Sequence, residues 1–197
     1  MALGFSVHTG WAALVAIARS GKSLAVADRR RIGMLPVPLT PRQDAYPHVF
    51  HAARELSLSH AAEFVRKAED EARSRARDEL RTAVEALHAA GHRVVGSAII
   101  TAREAPSRSL EEILQSHPLV HAAEGTLFRA VIRGASEDLG LGVLQVPAPE
   151  LVQRAARALG LPKGEVPEFL TQLGRPLGPP WTADHKAATL AAVLALS

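Results

Sequence analysis

The chain has 197 residues, 47% hydrophobic and 22% charged, proportions that suit one globular domain with a sizeable core and exclude a disordered or membrane-embedded polymer. A formal net charge of +3 is a mild argument for a polyanionic partner, and the lack of cysteine excludes disulfides and thiolate chemistry. The longest apolar runs, residues 11–18 and 187–196, fall well short of the roughly 20 residues a bilayer requires, and Met1 leads into apolar sequence with no basic leader, so a soluble cytoplasmic protein is expected.

Residues 2–8, 11–18 and 23–28 read as three consecutive strands, joined by Thr9-Gly10 and by Arg19-Ser20-Gly21-Lys22. Short Gly-containing connections of this kind close antiparallel hairpins. The third strand runs on towards Ile32 and ends in Arg29, Arg30 and Arg31. Such a charge run guards an edge strand against mispairing, and it equally offers contacts for phosphates. Pro36, Pro38, Pro41 and Pro47 make residues 34–47 a connection that is neither helix nor central strand.

A short helical segment over 47–56 precedes a long helix over 59–90, with Ser59 as its expected N-cap. Ala61, Val65, Ala68, Ala72, Ala76, Leu80, Val84 and Leu87 form one stripe along it, while the opposite face mixes Arg and Lys with Glu and Asp at ion-pair spacing. A stripe this rich in alanine suits very close packing, and it points to a homodimer through residues 59–90. Gly91 is a natural stop.

Residues 92–100 form a β-branched fourth strand, and 101–108 a loop. Ser109 and Glu112 have the capping-box spacing and open a short helix that ends before Pro118. In the next helix, over 119–139, Gly125 costs roughly 1 kcal/mol against alanine, which implies a close backbone contact there. Residues 141–146 are a fifth strand and 150–159 a helix; 167–173 hold a short helix, and Thr182 caps a last one over 183–196. The order is β-β-β-α-β-α-β-α, in a single domain over 1–197 with no internal repeat.

Three groups of side chains have chemical potential. Ser6, His8 and Thr9 sit at the end of the first strand, as a pocket mouth or simply as a satisfied polar strand end. His121 and Glu124 stand at i and i+3 with His117 just ahead, a spacing that lets them share a transition metal, act as base and orienting group, or fasten the helix by a hydrogen bond. Asp184 and Lys186 open the last helix, where the helix dipole alone favours a carboxylate. There is no Walker, dinucleotide-binding, zincin or nucleophile-elbow motif, which argues against an NTPase, a dehydrogenase, a zincin and an α/β-hydrolase.

Four stretches make the chain resemble the ribonuclease H-like superfamily, most closely its Holliday-junction resolvases. Leu3-Gly4-Phe5-Ser6 is similar to the opening Leu-Gly-Ile-Asp strand, and Thr9-Gly10-Trp11-Ala12 to the start of the second. Residues 119–147 resemble the helix and fifth strand, and Asp184 with the Ala/Leu run after it the last helix. The resemblance implies an α/β three-layer fold with a mixed five-stranded sheet flanked by helices. It further implies a divalent-metal-dependent phosphodiester hydrolase whose carboxylates hold two Mg²⁺ or Mn²⁺ ions.

The first of those carboxylates falls at Ser6, and a second falls near Thr101, with Glu104 the closest acid. The expected catalytic residues are therefore Asp184, Glu124 and His121, and the expected metal ligands Asp184, Glu124 and His8. Arg29, Arg30, Arg31 and Lys186 are the expected nucleic-acid contacts. The missing first carboxylate and the alanine-striped helix motivate the rival reading, a non-catalytic module of the same fold for small-ligand binding or protein assembly.

Overall fold

Five strands form one sheet in the order β3-β2-β1-β4-β5: Ala2–His8 (β1), Trp11–Ser20 (β2), Ser23–Gly33 (β3), Gly96–Thr101 (β4) and Val143–Pro147 (β5). The computed structural model describes residues 1–21, 23–36, 48–102 and 108–197. Most of the Pro-rich connection and Glu104 lie outside the described residues. The first three strands are an antiparallel meander, with His8 opposite Trp11 and Ala13 opposite Arg31. β4 and β5 then add in parallel on the other side of β1.

Side-chain alternation along the strands splits the core into two layers. Leu3 and Phe5 of β1, with Leu14 of β2 and Ile32 of β3, pack under three helices, Val49–Ala53 (α1), Leu58–Ala89 (α2) and His117–Asp138 (α4). Val15, Ile17, Ala98 and Val146 face the opposite way, onto Leu151–Leu159 (α5), Val166–Gly174 (α6) and Ala183–Ala195 (α7). Leu110–Gln115 (α3) leads into α4. Each large apolar side chain buried in these layers contributes about 1.5–3 kcal/mol.

Local chemistry sets most of the boundaries. The Ser109 hydroxyl accepts from Glu112 N (3.2 Å) while Glu112 Oε2 accepts from Ser109 N (2.8 Å), closing the expected box at the start of α3. Ser57, not Ser59, is the N-cap of α2; its hydroxyl turns instead to Ser59 Oγ and His60 Nδ1. β4 begins at Gly96 rather than at residue 92, and Val95 N donates to Met1 O (2.9 Å) just ahead of it.

The alanine stripe of α2 is consumed within the chain. Ala61, Ala72, Ala76, Leu80, Val84 and Leu87 are buried, and α2 packs on α1, α4 and β3. Those six positions are spent on packing within the chain, while Val65 and Ala68 are half-buried. The outer face carries the expected ion pairs, among them Lys67–Glu63 at 2.7 Å and Arg73–Glu69 at 2.9 Å.

Two glycines reverse their expected importance. A Cβ on Gly125 would meet only the guanidinium of Arg129, a flexible side chain and not a neighbouring backbone. A Cβ on Gly4 would lie 1.8 Å from Ala188 O and 2.5 Å from Ala192 N. The backbone of α7 thus lies directly on β1, and Gly4 makes room for it.

Candidate functional site

That contact decides what meets at the end of the sheet. Asp184, Ala188 and Ala192 are spaced by four along α7 and share the face that lies on β1. Ser6 and His8 follow Gly4 at intervals of two, so they point to the same side. Ser6 Oγ donates to Asp184 Oδ1 (3.1 Å), and His8 Nε2 donates to the same oxygen (2.7 Å). The expected pocket residues Ser6 and His8 are therefore joined to Asp184. Thr9 adjoins them in the turn, half-buried.

An aromatic stack extends this group across the sheet. The His8 and Trp11 rings lie 4.4 Å apart and 13° from parallel, and the Arg31 guanidinium carbon sits 4.2 Å from the Trp11 ring centre. Antiparallel pairing of β1, β2 and β3 accounts for it, since Trp11 stands on β2 between the strands that carry His8 and Arg31.

The arginine run divides by role. Arg29 donates through both terminal nitrogens to the carbonyls of Leu177 (3.0 Å), Gly178 (2.9 Å), Pro179 (3.3 Å) and Pro180. It pins the segment that leads into α7. Arg30 pairs with Asp28 at 2.5 Å. Arg31 is exposed beside the stack, and Lys186 is half-buried one turn into α7. Arg29 and Arg30, both expected phosphate contacts, thus make hydrogen bonds within the chain.

The N-terminus of α7 is fixed on its other side. Trp181 Nε1 donates to Leu170 O (2.9 Å), and its ring covers Gly174, where a Cβ would fall 2.3 Å from the indole nitrogen. Thr182 caps the helix, and the His185 ring accepts from Thr182 N through Nδ1 (3.2 Å). An accepting nitrogen requires a neutral ring. Partial burial, helped by Arg29 and opposed by Asp184, holds the His185 imidazole below its ordinary value.

Glu124 and His121 do not join this group. They stand on α4, which packs beneath the layer of Leu3 and Phe5, whereas Ser6, His8 and Asp184 occupy the α7 side. The expected ligand set Asp184, Glu124 and His8 is therefore divided by the sheet. Glu124 is 2% exposed. Its Oε1 accepts from Phe50 N (2.7 Å), and its Oε2 has no partner among the described residues. Burial pushes its carboxyl up to about 7, against the hydrogen bonds from the Phe50 and His51 backbone.

His121 belongs instead to a cluster with His117, which the sequence reading set beside it, and with His51, which that reading missed. His117 and His121 lie with their Nε2 atoms 2.9 Å apart, and the ring of His51, from α1, is 4.8 Å from that of His121. A signal was available: His48 and His51 are three apart, and His117 and His121 four apart, both metal-ligand spacings.

The donor set at Asp184 does not fit a pair of Mg²⁺ or Mn²⁺ ions. Hard cations need several carboxylate oxygens, and among the described residues one carboxylate, Asp184, shares the site with a hydroxyl and an imidazole. Both of those groups already donate to Asp184. Nor is this a nucleophilic relay, which needs the Ser hydroxyl to meet the His nitrogen. What the arrangement offers is stacking, hydrogen bonding and positive charge.

No family model matches the chain, and no curated protein matches its sequence. Solved structures do. RuvC from T. thermophilus in complex with Holliday junction substrate aligns over 98% of this chain and 90% of its own, with 11% identity and a TM-score of 0.51. A second Thermus thermophilus RuvC structure aligns over 98% and 91%, with 13% identity and a TM-score of 0.50. The chain shares the fold of these RuvC structures, a mixed five-stranded sheet flanked by helices. At such identity the likeness extends to the fold and not to the chemistry.

Proposed function

We propose that this chain is a nucleic-acid-binding ribonuclease H-like protein that engages its ligand without two-metal cleavage. The observation that carries the reading is the His8–Trp11–Arg31 stack beside the N-terminus of α7. Aromatic and guanidinium planes next to positive charge are how proteins hold unstacked bases, at about 1–3 kcal/mol per stacked base. The fold supports it too, because one RuvC structure of the same layout holds a Holliday junction substrate. The chain's charge of +3 agrees in sign.

In this reading His8 and Arg31 contribute the stacking surface, and Lys186 and Arg31 the contacts to phosphate. Asp184 orients His8. Fluorescence anisotropy of labelled single-stranded, duplex and four-way-junction DNA over a salt series tests it. Binding should weaken steeply with salt. Trp11→Ala and Arg31→Ala should each lower affinity about tenfold, and Mn²⁺ should produce no cleavage. Flat traces at low salt overturn the reading.

A second reading rests on a cavity of about 370 Å³ among α1, α2, α3 and α4, lined by Phe50, Val65, Ile113, Leu119 and Leu127. Its size and apolar lining suit a small ligand. None of Ser6, His8 and Thr9 lines it. Saturable uptake of an apolar dye by a protein that leaves DNA unbound would favour this alternative.

A further inference from the structure

The histidine cluster lies on the other face of the sheet and has no part in the proposed nucleic-acid interface. His117 is the first residue of α4 and His121 stands one turn on, so both imidazoles project from the same face. α1 brings His51 over them. Ring centres are 4.5 Å apart for His117–His121, 4.8 Å for His51–His121 and 5.2 Å for His51–His117. One nitrogen from each ring lies within 4.8 Å of the other two. Tetrahedral bonds of 2.0–2.1 Å would place such nitrogens about 3.3 Å apart. Small side-chain rotations cover that difference.

We propose that His51, His117 and His121 form a binding site for one divalent transition metal ion of the zinc class. The donor chemistry selects the ion. Three neutral imidazoles suit Zn²⁺, Co²⁺, Ni²⁺ or Cu²⁺, and without a carboxylate the set is poor for Mg²⁺ or Ca²⁺. His117 and His121 are exposed and His51 half-buried, so an ion reaches the site from solvent and keeps water in the fourth position. His48 stands beside His51 with ring centres 5.1 Å apart, as a neighbouring wall.

The platform beneath the ligands is rigid. Glu124, one turn beyond His121, accepts from Phe50 N, so α4 holds the backbone of α1 that carries His51.

The test uses the full chain, freed of metal by chelator dialysis, titrated with Zn²⁺ by calorimetry and with Co²⁺ by visible absorption. One equivalent should bind with a Kd on the order of 1 μM or tighter. The bound Co²⁺ should show the intense d–d bands of a low-coordinate nitrogen site. H51A and the double variant H117A/H121A should each lower affinity at least about tenfold, while H8A leaves it unchanged and excess Mg²⁺ does not compete. His117 and His121 are exposed, so their removal spares the core, and circular dichroism verifies the fold. Binding that survives H117A/H121A overturns the proposal, as does loss on H8A alone or no binding by the intact chain.

Discussion

The two ends of this molecule that could hold an ion invert what the layout leads one to expect. At the sheet end beside α7, where the sequence led us to expect metal-binding carboxylates, the one carboxylate among the described residues accepts from its own chain, from Ser6 Oγ and His8 Nε2. On the opposite face, three imidazoles converge with a carboxylate buried behind them. The first set is hydrogen-bonded, stacked and positively charged; the second is nitrogen-rich and open to solvent. Donor type, not position in the fold, decides which ion or ligand each end suits.

The sharpest way to break the comparison is at Gly4. Gly4→Ala forces a Cβ against Ala188 O and should cost about 3 kcal/mol or more, because the clash is with backbone that has nowhere to move. Denaturant unfolding reads it. Unchanged stability would mean that α7 is not seated as described.

Glu124→Gln probes the other face, through pH. The folded carboxyl is raised by burial to about 7 from an ordinary 4.5, so the folded state favours the neutral acid. Metal-free protein should be most stable below about pH 4.5 as far as this group is concerned. It should lose about 3 kcal/mol of that contribution as pH rises through 7. Glutamine stays neutral and should flatten the profile. If the variant kept the slope in denaturant melts from pH 5 to 8, Glu124 would not be its source.

Arg29→Ala should cost about 2 kcal/mol, the loss of a guanidinium shared among the carbonyls of residues 177–180. It should also loosen that segment, read as faster hydrogen exchange there than in α2. Loss of DNA affinity with no change in stability would instead make Arg29 a direct phosphate contact.

Asp184→Asn should have the smallest effect. The pair with His8 is partly exposed, and such pairs contribute on the order of 0.5 kcal/mol. Removing this negative charge should tighten DNA binding a few-fold at low salt. A metal-dependent nuclease would behave differently, with any Mn²⁺-stimulated cleavage abolished by the same variant. That outcome would restore the hydrolase reading.

Much of the fold was legible because its signals are local. The meander over β1, β2 and β3 follows from alternation and Gly-containing turns, and the starts of α3 and α7 follow from Ser109 and Thr182. The place of Asp184 in the first turn of α7 was legible from the same local pattern. The grouping was not. Glu124 at i+3 from His121 looked like its partner, yet the carboxylate turns inward to Phe50, 74 residues away in sequence. Arg29 looked like a phosphate contact, and the segment it holds lies about 150 residues downstream. Long-range partners leave no periodic trace.

By itself, then, the sequence determined the order of elements, the caps of α3 and α7 and much of the burial pattern of the strands and helices, because propensity and hydrophobic periodicity act over a few residues. Only the tertiary structure decided that Gly4 admits α7 onto β1, that Asp184 serves Ser6 and His8 on one face, and that His51 meets His117 and His121 on the other. Those outcomes depend on which faces of a twisted sheet two helical layers cover, and close packing of the whole chain fixes that.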